Sequence, residues 1–223
     1  MLICIYIIYI HKGVVVMEIS TLRGSNLIAF LEDSEYKTRR MFLREMARKF
    51  KEAGIIYGLA CSSALFFKGI VDDFNDYDII VDEADMERAG SILIEELKCL
   101  EQQVEYNPYC RSKKFREFRG GHVDIDMIAG FQIFTFGTHY LYEISKDDID
   151  YMEIDGNRVP VVALEAQFLL YAMMEGWQLK RRFKRVLIGQ YLNQYGLKHR
   201  EILEIALKQN LPDWIEKEVR QLM

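Results

Sequence analysis

The chain has 223 residues, half of them hydrophobic and 28% charged, which is the make-up of a globular protein with a sizeable core. Its formal net charge of −5 argues against general nucleic-acid binding, which needs a basic balance. Cys4, Cys61, Cys99 and Cys110 form no CxxC pair; this excludes the usual zinc spacings and reads as free thiols in a reducing cytosol.

Residues 1–16 begin with an apolar run, Met1 to Ile10, too short to cross a bilayer as a helix. The run has no basic flank and no small-residue cleavage site, so it is not a secretory signal. Residues 1–16 are expected to be a leader or mis-assigned start, with Met17 as the true first residue. Lys12-Gly13-Val14 can be encoded by AAAGGAGTN, which contains a bacterial ribosome-binding sequence just ahead of the Met17 codon. An extra strand is the alternative, because Ile and Tyr favour strands.

A first helix is expected over Leu27 to Glu32 and a longer one over Tyr36 to Ala53, capped by Ser34 and striped by Phe42, Met46 and Phe50. Gly54 ends it, and Ile55 to Ala60 reads as a buried strand that runs straight into a short helix, Cys61 to Lys68. A strand over residues 75–81 follows the Asp72-Asp73 loop. The next helix is expected from Asp85 to Leu100, with Met86, Ala89, Leu93 and Leu97 at core spacing. Strands are expected at Val104 to Tyr106, Lys114 to Phe118, 122–128, Tyr140 to Ile144, Met152 to Ile154 and Arg158 to Val162. From Ala163 onward the pattern is helical only, with four apolar stripes, the last beginning after Pro212. The expected organisation is therefore an α/β domain over 17–162 and a helical region over 163–223.

Two of these strands carry paired aspartates. In Asn75-Asp76-Tyr77-Asp78-Ile79-Ile80-Val81 and His122-Val123-Asp124-Ile125-Asp126-Met127-Ile128, residues two apart share a face. Asp76 with Asp78, and Asp124 with Asp126, are thus grouped, while Tyr77, Ile79, Val123, Ile125 and Met127 face a core. One such strand alone is more simply the solvated face of an amphipathic sheet. Both strands, however, run on into apolar residues, and a small-residue strand–turn–helix, Gly58 to Ala64, precedes the first. Such a turn offers backbone N–H groups to phosphate oxygens. Adjacent, the two strands would form an all-oxygen site for a hard divalent cation.

This combination resembles the nucleotidyltransferase fold superfamily, which includes DNA polymerase beta, poly(A) polymerases and antibiotic-modifying enzymes. Ser62-Ser63-Ala64-Leu65 is similar to the end of the family's Gly-Gly or Gly-Ser turn, and Asp76-Tyr77-Asp78 to its acidic strand. The 122–126 segment is similar to the strand with the third carboxylate. Cys61 stands where many members have glycine, and the segment before Asp76 lacks the family's frequent arginine.

The resemblance implies a mixed sheet flanked by helices with a helical region behind it, and two-metal transfer of a nucleoside monophosphate from an NTP to a hydroxyl. Asp76, Asp78 and Asp124 would be catalytic and, with Asp126, hold two magnesium ions. Asp124 is preferred to Asp126 as the third carboxylate. Cys61, Ser62, Ser63 and Lys180 would bind nucleotide, Lys180 being first in a basic run that includes Arg181, Arg182, Lys184 and Arg185. A second basic run (Arg111, Lys113, Lys114, Arg116, Arg119), His122 and Trp177 are further candidates. The acceptor would be a small molecule or a protein and the setting cytoplasmic, with no membrane partner. The alternative is a non-catalytic nucleotide-binding or toxin–antitoxin module of the same fold.

Overall fold

The computed structural model describes the backbone of residues 3–11, 14–22, 30, 36–104, 111–120, 123–175 and 179–223, and side chains at 30, 36–104, 111–120, 123–175 and 181–223. Strands β1 (Ile3–His11) and β2 (Val14–Leu22) form an antiparallel hairpin in which Met17 pairs with Ile8. Of the helix expected at Leu27 to Glu32 only Phe30 is described, and the Ser34 cap lies outside the described residues.

Helix α1 (Lys37–Glu52) buries Leu43, Met46, Ala47 and Phe50, the spacing of a single helical face. It lies against the sheet strand β11 (Asn157–Val162). The chain then enters β3 (Tyr57–Ala60), α2 (Cys61–Phe67) and β4 (Tyr77–Val81). Helix α3 (Met86–Ser91) widens into a π-turn over Ile92–Glu96, where the Leu97 amide donates to the Ile92 carbonyl. The expected helix therefore stops short of Leu100, which instead opens β5 (Leu100–Gln102). Of the strand foreseen at Val104 to Tyr106 only Val104 is described, and the rest lies outside the described residues; β5 itself is an exposed edge strand set by pairing with β6 (Lys114–Gly120).

Strands β6 (Lys114–Gly120) and β7 (Val123–Ala129) follow, then a hairpin of β8 (Phe131–Thr135) and β9 (Thr138–Tyr142). Strand β8 was not anticipated; its two-residue turn uses Phe136 and Gly137, both at positive φ (52° and 73°), without the usual Asn-Gly signal. Strand β10 (Ile149–Ile154) pairs with β11. The remainder is helical, as expected: α4 (Leu164–Met174), α5 (Leu179–Tyr195), α6 (Arg200–Ala206) and α7 (Asp213–Leu222).

The main sheet is mixed, in the order β10-β11-β3-β4-β7-β6-β5. It separates two cores. Tyr77, Ile79, Ile125 and Met127 face α1 and α3 in one; Ala60, Ile80, Ile128 and Val162 face α4 and α5 in the other. Each fully buried large apolar side chain contributes about 1.5–3 kcal/mol. Gly58 allows the close approach of β11 to β3, since a Cβ there would lie 2.9 Å from both Cγ2 and N of Val162.

Candidate active site

The acidic strands are neighbours. β4 and β7 run parallel, with Tyr77 paired to Ile125 and Asp78 to Asp126. Along β4 the face toward the C-terminal helices reads Asp76, Asp78, Ile80, and along β7 Asp124, Asp126, Ile128. Both strands thus change from acidic to apolar at the same level: Ile80 and Ile128 pack beneath the helices, and the aspartates line the cleft beside them. The opposite face is core throughout, so burial of Tyr77, Ile79, Ile125 and Met127 locks the register that aligns the carboxylates.

Electrostatics mark the cluster. Burial, then the charges of Asp76 and Asp126, push the Asp78 carboxyl well above the usual range. Burial, then Asp76, Glu117 and Asp124, push Asp126 up to about 7. These groups share protons because their charges repel at short range in a poorly solvated cleft.

The turn beside them is built from β3 and α2. Ala60 is extended and pairs with Asp78, and Cys61 then adopts φ +51°, the left-handed region that favours glycine. This gives a backbone reason for glycine at this point of the family's turn. Burial and the charge of Asp78 push the Cys61 thiol up, so it stays protonated and is no nucleophile. Cys61→Gly is expected to leave stability within about 1 kcal/mol, lost thiol packing offsetting relieved strain. Cys61→Val, β-branched at a left-handed position, should cost about 1–2 kcal/mol more. Urea denaturation of the two variants checks this.

The positive side comes from the C-terminal helices. Lys184 Nζ donates to Ser62 Oγ at 2.5 Å, and both the Lys184 ammonium and the Arg181 guanidinium sit over the Tyr171 ring, at 5.6 and 5.7 Å. Their charges partly offset the upward push on Asp78. Gln167, fully buried in α4, accepts the Cys61 amide at 3.0 Å and so ties the turn to that helix. Ser63 Oγ donates to the Ala60 carbonyl, leaving Ser62 as the turn's outward hydroxyl. Arg39 of α1 donates to the carbonyls of Phe74 and Asn75, immediately before Asp76. It thereby steadies the segment whose own arginine is missing.

Several expected residues stand elsewhere. Asp124 is exposed (57%) and ion-paired with Arg119 at 2.8 Å. Arg185 is held by Glu175 and Glu218, and Arg182 by Glu175. In the second basic run, Lys113 pairs with Glu83 and Glu143, and Arg116 with Glu101 and Glu87. The Lys180 side chain, His122 and Trp177 lie outside the described residues. Gln167, Tyr171 and Arg39 were not foreseen. A signal for Gln167 existed, since it and Glu165 are the two polar residues in the otherwise apolar stretch Leu164–Met174.

The donor chemistry fits a hard divalent cation: carboxylates alone, with raised proton affinities that an added positive charge would relieve. As they stand, the described side chains do not close three or more donors around one point.

A mixed sheet carrying paired Asp-x-Asp and Asp-x-Asp strands beside a strand–turn–helix, with helices packed behind, is the nucleotidyltransferase fold. No protein-family model and no curated protein matches the sequence. Solved structures do. A Thermotoga maritima protein assigned as a nucleotidyltransferase is similar at TM-score 0.51 and 17% identity, over 71% of this chain and 94% of that one. The antibiotic-resistance factor ANT(2'')-Ia, in complex with adenylyl-2''-tobramycin, is similar at TM-score 0.51 and 12% identity, over 83% of this chain and 97% of that one. At these identities the likeness is one of fold. Among the described residues no helix is long and apolar enough to cross a membrane.

Proposed function

We propose that this protein is a cytoplasmic, magnesium-dependent nucleotidyltransferase that moves a nucleoside monophosphate from an NTP to a hydroxyl of a small molecule or protein. The observation that carries the reading is the side-by-side placement of Asp78 and Asp126, with Asp76 adjoining and a Ser62–Lys184 pair at the edge of the cleft. A small-molecule acceptor is favoured by the likeness to ANT(2'')-Ia, whose complex contains adenylyl-2''-tobramycin.

In this reading Asp76, Asp78 and Asp126 would hold the two magnesium ions. Bound there, the metal would neutralise phosphate charge and acidify the acceptor hydroxyl. Asp126 takes the third-carboxylate role in place of Asp124, because it is the residue in register with Asp78 while Asp124 is turned to Arg119. Ser62 Oγ hydrogen-bonds a β- or γ-phosphate oxygen, and Lys184 and Arg181, with Lys180 beside them in sequence, supply positive charge to the triphosphate. The acceptor oxygen bonds to the α-phosphorus and gives its proton to Asp126, the carboxylate in register with Asp78. The bond from the α-phosphorus to the bridging oxygen breaks, and pyrophosphate leaves with the electron pair.

The test is incubation with each labelled NTP, magnesium and a panel of hydroxylated acceptors or cell extract. Labelled product with stoichiometric pyrophosphate supports the proposal. NTP binding without either product indicates the non-catalytic module instead.

Metal and pH are coupled here. Between pH 4 and about 7 the folded chain keeps a proton on Asp126 that the unfolded chain has lost. Stability from this group therefore falls as pH rises through that window, and the penalty is complete above it. Magnesium is expected to raise the melting temperature more at pH 8 than at pH 5.5, with EDTA reversing the gain. An equal shift at both pH values would rule out a metal seat at these carboxylates.

A further inference from the structure

The residues around Tyr57 form a second groove, away from the acidic cleft. Tyr57 is three residues before Ala60 on β3, about 10 Å along the strand, and its ring packs against Phe50 of α1 on the opposite face of the sheet. The groove has a volume of about 260 Å³ and lies between the end of α1 and the β10–β11 hairpin. That is far more than one water occupies, and close to the lower end of small-ligand sites.

Its lining is chemically one-sided. Lys51, Lys146 and Arg158 border it, and among the described residues no acidic side chain does. Glu52 and Glu153 flank the adjoining groove, where Arg48 engages Glu52 and Glu153 lies across the hairpin from Arg158. None of the three cations makes an ion pair among the described residues. Arg158 Cζ stands over the exposed Tyr151 ring, 4.0 Å from its centroid, a cation–π contact that restrains the guanidinium fork. Tyr57 also lines the groove; its hydroxyl is buried, the residue being 2% exposed, and has no hydrogen-bond partner among the described residues. Burial keeps that phenol protonated, hence a donor. A buried donor without an acceptor is costly, and natural folds keep few of them.

We propose that this groove is a ligand site, separate from the acidic cleft, for a small molecule bearing a phosphoryl or carboxyl oxyanion. The oxyanion accepts a hydrogen bond from Tyr57 Oη and is gripped by the Arg158 fork, with Lys51 and Lys146 supplying further charge.

The test is calorimetric titration of the full chain in EDTA at constant ionic strength, with inorganic phosphate in one arm and benzoate in the other. The expected result is saturable one-site binding of at least one anion; the stronger arm identifies which oxyanion the groove prefers. Binding should weaken about tenfold or more in Arg158→Gln and in Tyr57→Phe. Tyr57→Phe keeps the ring packing, so its melting temperature without ligand should equal or exceed that of the parent. Absence of saturable binding in both arms overturns the proposal. So does binding that survives Arg158→Gln and Tyr57→Phe, or that is lost in Lys184→Ala, which would place the anion in the cleft. None of these outcomes depends on whether transfer activity exists.

Discussion

Asp78→Asn is expected to lower product formation by about 10³-fold or more while leaving the fold intact, and Asp126→Asn to do the same. Both residues are half-buried on adjacent parallel strands, their backbones in register, and the charge of Asp126 helps raise the proton affinity of Asp78. An amide is isosteric with a carboxyl group but carries no charge for a cation and cannot serve as a base. Asp124→Asn provides the contrast. That side chain is exposed and paired with an exposed Arg119, and surface pairs of this kind are screened by solvent and contribute little. Its activity should fall less than about tenfold. The reverse ranking of Asp124→Asn and Asp126→Asn would return the third-carboxylate role to Asp124. A second readout separates chemistry from folding: without metal at pH 8, Asp78→Asn should melt higher than the parent, because one of several crowded charges has been removed. At pH 5 the difference should shrink as the carboxyls protonate.

Gln167→Leu is expected to cost about 1–3 kcal/mol in urea denaturation, the penalty of stranding the buried Cys61 amide. It should also raise the KM for NTP more than it lowers kcat. The reason lies in the turn. Cys61 is held at φ +51° partly by the hydrogen bond from its amide to Gln167, and Ser62 is the next residue. Freed from α4, the turn can relax out of the left-handed conformation and carry the Ser62 hydroxyl away from Lys184. Gln167→Glu keeps an acceptor in place and should restore much of the nucleotide affinity relative to Gln167→Leu. An unchanged KM in Gln167→Leu, with only stability lost, would reduce Gln167 to a packing role.

The acidic site was legible in part because strand periodicity is local. An alternation of two residues groups Asp76 with Asp78 and Asp124 with Asp126 whatever the rest of the chain does. The same alternation put Tyr77, Ile79, Val123, Ile125 and Met127 in a core, where they are found. The helical stripe of α1, the order of most strands and the helical run after Ala163 were readable for the same reason: each is a periodicity of the chain itself. Elements governed by partners were not. β5 is an edge strand that takes its place from pairing with β6, and β8 depends on an unusual Phe136-Gly137 turn.

The sequence by itself determined which carboxylates share a face, where the small-residue turn falls, and that an α/β half precedes a helical one. Only the tertiary structure decided that Asp126, not Asp124, lies level with Asp78, since register between strands whose paired residues are 48 apart in the chain is set by core packing on the far face. Tertiary structure also selected Arg181 and Lys184 from the basic run and sent Arg182 and Arg185 to Glu175, because helix rotation against the sheet, not charge, chooses the side chains that reach the cleft.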